Sequence, residues 1–390
     1  MRILQVHNCY QQAGGEDTVV DVESEILRRR GHEVQQFKVL NDDIEGFTSK
    51  LRVALTVDYS RSSRNLLEKK LKKTHPNIVH VHNFFPLITP SIYDACRDAG
   101  IPVVQTLHNY RTICPGALLM RDGNICERCV TGSAYQAVLY GCYRDSRLAS
   151  LSVARMVEYH RKKNTWTTKV DRFIALTEFA REKFITAGFP SEKIVVKPNF
   201  VTNNYEVLKT EFPDTEKSYA LFVGRLSSEK GVGTLLRAWK SLSIPVHLVG
   251  EGPLVEKIQS AGLDMISSLG QMDSKDVWKK MSEADFLVMP SECYEGFPLV
   301  LAEAFSCGLP VVASRLGGMA EIIEDGVTGL HFEAGNPEDL AEKVSWMHNN
   351  PEKCKKMGEN ARRVYLEKYT SEINYEMLMM IYQGVIDDYE

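Results

Sequence analysis

Apolar positions along this chain follow two alternating rhythms. Short β-branched runs are separated by longer stretches in which apolar residues recur every three or four positions, and that alternation predicts parallel strands crossed over by helices. In the first half the strands are predicted at RILQVH (2–7), EVQQFKV (33–39), NIVHVH (77–82), PVVQTLH (102–108), RFIALT (172–177) and KIVVKP (193–198). Helices are predicted near 16–30, 61–73, 90–99, 146–166 and 178–187. Residues 199–218 have poor periodicity and read as a linker. The pattern then restarts at YALFVG (219–224), PVHLVG (245–250), DMISSLG (264–270), DFLVMP (285–290) and PVVASR (310–315), and from about 336 it is nearly all helical. The fold class expected is α/β, with two Rossmann-like parallel sheets of similar size. Ligands of such sheets bind beyond the carboxyl ends of the strands, so two facing sheets predict a cleft where motifs from both halves meet.

Composition sharpens this only a little. A chain of 390 residues is long for one core, which agrees with two domains. Hydrophobic content of 44% and charged content of 25% are ordinary for a soluble protein, and no window approaches eighteen apolar residues. The opening MRILQVHNCY reads as a strand rather than a signal peptide, so a cytoplasmic protein is expected. Nine cysteines there argue for free thiols or a metal rather than a disulfide framework.

Charge changes the picture more. The net −4 divides into 29 Lys/Arg against 21 Asp/Glu over residues 1–200, and 18 against 30 over 201–390. The basic first half suggests an anionic partner, and a solvated helix face is the alternative. The helix 61–73 offers Leu66, Leu67 and Leu71 beside basic residues, and 147–163 is similar. Both are candidates for contact with anionic lipid, although such leucines also serve as ordinary packing.

Candidate chemistry lies at strand ends. In LFVGRLSSEKGV (221–232), Gly224 lets the backbone turn closely while Arg225 and Lys230 put two cations where a diphosphate would fit. HLVGEGP (247–253) repeats the ending with Gly250. In SECYEGFPLVLAEAF (291–305), Glu295 sits on a turn, Pro298 suits the first turn of a helix, and Glu303 lies inside it. The rise of a helix puts the two carboxylates about 8–12 Å apart. That is too far for a shared proton and suits two anchors on a long ligand with an anionic middle. Amides of Gly296, Phe297 and Leu299 at the helix start add an anion site.

Glu295 and Glu303 form the E-x7-E pattern, and the chain resembles retaining glycosyltransferases of the GT-B fold, family 4 above all. The likeness also covers AGGEDTVV (13–20), GRLSSEKGV and CGLPVVASRLGGMAEII (307–323). It implies three parts: an acceptor-binding domain at 1–200 with a cysteine-rich insertion at 109–146, a nucleotide-sugar domain at 201–370, and a helix at 371–390 crossing back to the first domain. It implies that Glu295 holds donor-sugar hydroxyls, Glu303 the ribose diol, and Arg225 and Lys230 the diphosphate. Gly15 would approach the diphosphate or the acceptor, and His108 would contact the donor sugar. His80 and His82 would pack or lie on the acceptor side. Two departures bear on the acceptor: Gly14-Gly15-Glu16-Asp17 lacks the histidine that often follows the acidic residue, and Phe200 replaces a common glycine.

No Asp-x-Asp lies between strand residues, since NDD (41–43) and IDDY (386–389) fall in a turn and a terminal helix. No catalytic metal is therefore expected. A second constellation, Cys114, Cys126, Cys129 and Cys142, has the spacing C-x11-C-x2-C-x12-C. It is open between a structural zinc site, free thiols, and a redox pair at Cys126 and Cys129. Cys9, Cys96, Cys293, Cys307 and Cys354 lack partner spacing and are expected to pack.

The function expected is transfer of a sugar, with retention, from a nucleotide-sugar donor, UDP-linked by default, to a saccharide or lipid-linked acceptor in polysaccharide or glycoconjugate synthesis. No nucleic-acid partner is expected. The alternatives are a nucleotide-sugar epimerase or a catalytically silent scaffold on the same fold. The absence of G-x-G-x-x-G after any strand argues against a dinucleotide oxidoreductase.

Overall fold

Residues buried on both faces of a strand need helices above and below, and the chain meets that need twice. In the computed structural model, which describes residues 1–11, 14–41, 46–202 and 219–389, the strands form two six-stranded sheets. The first contains β1 (Arg2–Cys9), β2 (Glu33–Leu40), β3 (Ile78–Asn83), β4 (Val103–Leu107), β7 (Arg172–Ala175) and β8 (Ile194–Val196). Its order is β2-β1-β3-β4-β7-β8, parallel throughout. Two short strands, β5 (Met120–Arg121) and β6 (Asn124–Ile125), lie in the cysteine-bearing segment. The central strands β3 and β4 are buried at every residue, while the edge strand β2 alternates toward solvent.

The second sheet contains β9 (Ala220–Val223), β10 (Val246–Val249), β11 (Ile266–Gly270), β12 (Phe286–Met289), β13 (Val311–Ser314) and β14 (Gly329–Phe332). Its order is β11-β10-β9-β12-β13-β14, again all parallel. Each sheet is wound outward from its first strand in both directions. The chain order therefore reverses between β1 and β3 in one and between β9 and β12 in the other. At such reversals the connections leave in opposite directions and open a crevice at the carboxyl ends of the strands.

The chain falls into two compact units, Met1–Arg121 with Cys126–Pro198 and Asn374–Glu390, and Asp122–Ile125 with Asn199–Ile373. The last helix, Ser371–Asp387, thus ends in the unit where the chain began. Its Leu378, Tyr382 and Val385 complete a core with Ile3, Leu27, Val34, Ile78, Val104 and Ile174. The other unit is built on Phe222, Trp239, Leu248, Phe286, Val312 and Phe332, and Trp239 satisfies its buried N–H on the carbonyl of Ile244 at 2.8 Å.

Several elements differ from the pattern. The helix Gly46–Thr56 and strand β14 were not legible. The expected helix 146–166 is two helices, Arg147–Lys162 and Thr165–Thr168, parted where Asn164 takes φ +51. Most of the linker, residues 203–218, and the acidic pair 42–43 lie outside the described residues. Among the described residues no helix is long and apolar enough to cross a membrane.

Candidate active site

In the second unit, β9 and β12 flank the reversal, and both end in the residues singled out from the sequence. After β9, Gly224 takes φ +156 and Arg225 is exposed. The loop continues to Gly231 at φ +71, where a Cβ would stand 1.7 Å from the carbonyl oxygen of Pro290, just past β12. Only glycine lets these backbones meet, and the contact sets Lys230 against the segment after β12. Lys230 Nζ lies 2.6 Å from Oε1 of Glu295, and Ser291 Oγ donates to the same oxygen at 2.8 Å. Burial disfavours the Lys230 charge, but Glu295, with Cys293 and Glu229 nearby, outweighs it and raises the pKa. The other oxygen of Glu295 has no hydrogen-bond partner among the described residues.

Glu303 is different. Its helix, Leu299–Ser306, buries Leu301, Ala302, Ala304 and Phe305, and its carboxylate makes no ion pair or side-chain hydrogen bond among the described residues. Burial alone pushes its pKa up to about 7. Two details correct the sequence reading. Pro298 is the residue before the helix, at ψ 120°, rather than its first turn. A Cβ on Gly250 would stand 2.0 Å from the carbonyl oxygen of Gly224, so packing of two strand ends already requires this glycine. A ligand's approach is not needed to explain it.

In the first unit, β1 and β3 flank the reversal, and β4 lies beside them. The first helix, Gly15–Arg29, begins directly after the loop from β1, so Gly15 opens the helix rather than sitting in the loop. Asp17 accepts from the Gly14 N–H at 2.8 Å and pairs with His7 Nε2 at 2.9 Å. Glu16 accepts from Tyr10 OH and Asn109 Nδ2, both at 3.4 Å, and its other oxygen is buried without a partner. Burial, reinforced by Asp17, pushes its pKa up to about 8.

Two turns further along the same helix, Glu23 is fully buried. Its Oε1 lies 3.2 Å from Gln5 Nε2, 3.2 Å from His80 Nδ1 and 3.3 Å from His82 Nε2, and its Oε2 lies 3.7 Å from Lys197 Nζ. His80 also pairs with Tyr382 OH at 2.7 Å and Thr106 Oγ1 at 2.8 Å, and His82 Nδ1 meets His108 Nε2 at 3.1 Å. Burial would raise the Glu23 pKa, yet His80 and His82 outweigh it and hold the carboxyl well below its usual range. Burial, then the neighbouring imidazoles, lowers the pKa of His82 to about 3 and that of His108 well below the usual value. Among the described residues, two sets of ligand-type atoms lie within 4.8 Å of one another, His7/Cys9/Asp17 and Glu23/His80/His82. The second already has the Lys197 ammonium as its counter-charge, which leaves little electrostatic room for a dication.

Comparison with known proteins supplies the family. The description "Glycosyltransferase Family 4" matches residues 13–204, and "Glycosyl transferases group 1" matches residues 206–364. The chain belongs to the GT-B glycosyltransferases of family 4. An uncharacterised glycosyltransferase of Methanocaldococcus jannaschii is 33% identical over 57% of this chain, and the match spans 60% of that relative's length. The α-D-kanosaminyltransferase of Streptomyces kanamyceticus is 24% identical over 81% of this chain and 80% of its own. Among solved structures, Anabaena HepE in complex with UDP superposes with a TM-score of 0.68, at 18% identity, over 98% of this chain and 99% of that one.

Within this glycosyltransferase, sequence reasoning missed Glu23, Lys197 and Ser291. Glu23 was detectable, because it falls four residues after Val19 on the buried stripe of an amphipathic helix, where a charge needs a reason. Of the remaining cysteines, Cys96, Cys293 and Cys354 are buried, whereas Cys9 and Cys307 are half-buried. The leucines offered as a lipid face on the helix Arg61–Thr74 are a correction. Leu67 and Leu71 are core residues, and only Leu66 is exposed. Exposed leucines gather instead on the helices Gly46–Thr56, Gln136–Tyr140 and Arg147–Lys162 (Leu51, Leu55, Leu139, Leu148 and Leu151). The last helix packs against the other two, and Arg155 Nη2 donates to the carbonyls of Ala54 and Leu55.

None of the four cysteines of the insertion is joined in a disulfide. Burial raises the Cys129 pKa to about 12, with Cys114, Cys142 and Cys126 each adding to it, so the four sulfurs are neighbours. They are not among the sets drawn within 4.8 Å of one another.

Proposed function

We propose that this glycosyltransferase moves a sugar, with retention and without a catalytic metal, from a UDP-sugar to a saccharide or lipid-linked saccharide in surface polysaccharide or glycoconjugate synthesis. The observation that carries the reading is the cluster after β9 and β12, where Lys230, Ser291 and Glu295 are joined and the helix Leu299–Ser306 presents a Glu303 carboxylate with no partner among the described residues. UDP is favoured because a protein of the same fold has been solved with it.

In this reading the Glu303 carboxylate accepts hydrogen bonds from both ribose hydroxyls, while Arg225, Lys230 and the amides of Phe297 and Leu299 stabilise the diphosphate. Gly15, which opens the first helix, and Gly224, just after β9, are the positions where backbone would approach the donor. The unpaired oxygen of Glu295 accepts from donor-sugar hydroxyls, and His108 touches the sugar. The acceptor hydroxyl oxygen attacks the anomeric carbon from the leaving-group face as the bond to the phosphate oxygen breaks. The acceptor's proton passes to the departing phosphate, so no carboxylate nucleophile is required. Lys230 and Arg225 improve the leaving group by offsetting the charge that grows on it.

Two subsidiary proposals belong here. The exposed leucines, with Lys50, Arg52, Arg144 and Arg147 near them in sequence, dock on an anionic membrane that carries the acceptor. Cys114, Cys126, Cys129 and Cys142 hold a structural zinc ion.

The central test is a melting-temperature screen against UDP-, GDP- and ADP-sugars. UDP-sugars are expected to stabilise most, since a ligand at a hundred times its Kd contributes about 2.7 kcal/mol. Glu295→Ala should lower kcat/KM about a hundredfold, the loss of roughly 2–3 kcal/mol from a charged hydrogen bond to the reacting sugar. No stabilisation by any nucleotide sugar would sink the reading. Epimerised donor in the absence of acceptor would replace transfer with epimerisation.

A further inference from the structure

Glu23, His82 and His108 form a line that begins in the core and ends at the carboxyl edge of the first sheet. Glu23 Oε1 lies 3.3 Å from His82 Nε2, and His82 Nδ1 lies 3.1 Å from His108 Nε2. The rings of His82 and His108 stack with centroids 5.4 Å apart and an interplanar angle of 22°. His82 Nε2 is buried and makes no in-line hydrogen bond among the described residues, so the carboxylate oxygen is the group that acts on it. Nδ1 of His108 also makes no hydrogen bond among the described residues, yet it is not among the buried polar atoms and so reaches solvent.

A neutral imidazole carries one proton, and its position on one ring nitrogen fixes the role of the other. An ionised carboxylate accepts only. Facing Nε2 of His82, it attracts an N–H and repels a lone pair, so the proton sits on Nε2 and Nδ1 is bare. A bare Nδ1 at 3.1 Å from His108 Nε2 requires the proton of His108 on that nitrogen. Lys197 and Gln5 hold the carboxylate in place from its other sides, and His80, braced by Tyr382 and Thr106, flanks it.

We infer that Glu23, acting through His82, fixes the proton of His108 on Nε2, so that His108 meets its substrate with the bare Nδ1 as a hydrogen-bond acceptor. Glu23 and His82 are then positioning residues, and His108 selects a sugar hydroxyl as donor rather than a carbonyl or phosphate oxygen. The substrate half of this inference rests on the proposed function; the proton relay does not.

The test is long-range nitrogen–proton correlation NMR on the full chain labelled with 15N-histidine, with signals assigned by their loss in His82→Gln and His108→Gln. In the wild type, both His82 and His108 are expected as single tautomers protonated on Nε2. A His108 protonated on Nδ1 overturns the inference. Glu23→Gln removes the charge, and the expected result is a mixture of tautomers at His108; an unchanged single tautomer removes Glu23 as the cause. If Glu23→Gln does not fold, Glu23→Asp keeps the charge but withdraws it by one methylene, and the same growth of a second tautomer is expected. Addition of UDP-glucose separates the two claims. A shift of the His108 Nδ1 resonance supports the substrate role. An unmoved resonance in a correctly protonated wild type leaves the relay standing and refutes the sugar contact.

Discussion

Glu303 carries a stability cost that its proposed contact with the ribose would explain. Its pKa is about 7 in the folded chain against the ordinary 4.5, and burial is the cause. A raised carboxyl pKa means that the native state holds a proton the unfolded state has released between those two values. Stability therefore falls as pH rises from about 4.5 to 7 and stays reduced above that. The full shift corresponds to about 3 kcal/mol, and partial contact with solvent brings this nearer to about 2 kcal/mol. Glu303→Gln should melt at the same temperature as wild type near pH 4.5 and a few degrees higher at pH 8. In the same variant, UDP affinity at pH 8 should drop about tenfold or more, because an amide cannot accept from both ribose hydroxyls. Wild-type affinity should also decline below pH 7 as the carboxyl protonates. A variant less stable than wild type at pH 8 would falsify the account of Glu303. The spacing of Glu295 and Glu303 was legible because a motif preserves spacing. The absence of a cation beside Glu303 among the described residues was not, since partners come from distant parts of the chain.

At the scale of elements, the buried strands were legible because runs such as NIVHVH and DFLVMP are apolar enough to stand between two helix layers. Strand β14 was not, because four residues interrupted by His331 carry too little pattern, and His331 is accommodated only by a tertiary bond to the Ile323 carbonyl at 2.9 Å. The relay behind His108 was half legible. Both histidines of VHVHN point to the sheet, but the glutamate facing them lies on another element.

The cysteine segment is the element most in need of a staple. It contains two two-residue strands and two helices of at most five residues, and Ala117, Leu119, Asp122, Arg144 and Asp145 all take positive φ without being glycine. Those conformations persist only where surrounding contacts over-determine them. The backbone amide of Ala137 acts against the burial of Cys129 and favours the thiolate over the thiol. Purified protein is expected to carry about one zinc ion per chain by elemental analysis, with the four thiols unreactive until a chelator is added. Zinc-free protein that retains its melting temperature and shows four reactive thiols would remove the proposal. Zinc–sulfur bonds of about 2.3 Å require the sulfurs to draw closer than they stand here.

On the scale of the whole chain, charge is divided rather than mixed. Residues 1–200 carry a net +8 and residues 201–390 a net −12, from 29 minus 21 and 18 minus 30. In the proposed reading it is the basic half that meets an anionic surface. The basic half also carries the exposed leucines, with Leu148 at 82% and Leu139 at 67% relative exposure. On the helix Arg147–Lys162 the exposed leucines are Leu148 and Leu151, away from the buried Val153, Ala154, Met156 and Val157. Binding to vesicles containing anionic lipid should exceed binding to neutral vesicles, and it should weaken as salt shortens the reach of the charges. Replacing Leu148 and Leu151 with serine removes two exposed apolar side chains, of which Leu148 is the less covered. The variant should keep the wild-type melting temperature and transfer to a soluble acceptor, while vesicle binding falls about tenfold or more. Equal binding by both proteins would show that these leucines do not meet lipid. Salt-sensitive binding that survives their loss would leave the basic residues alone as the membrane contact.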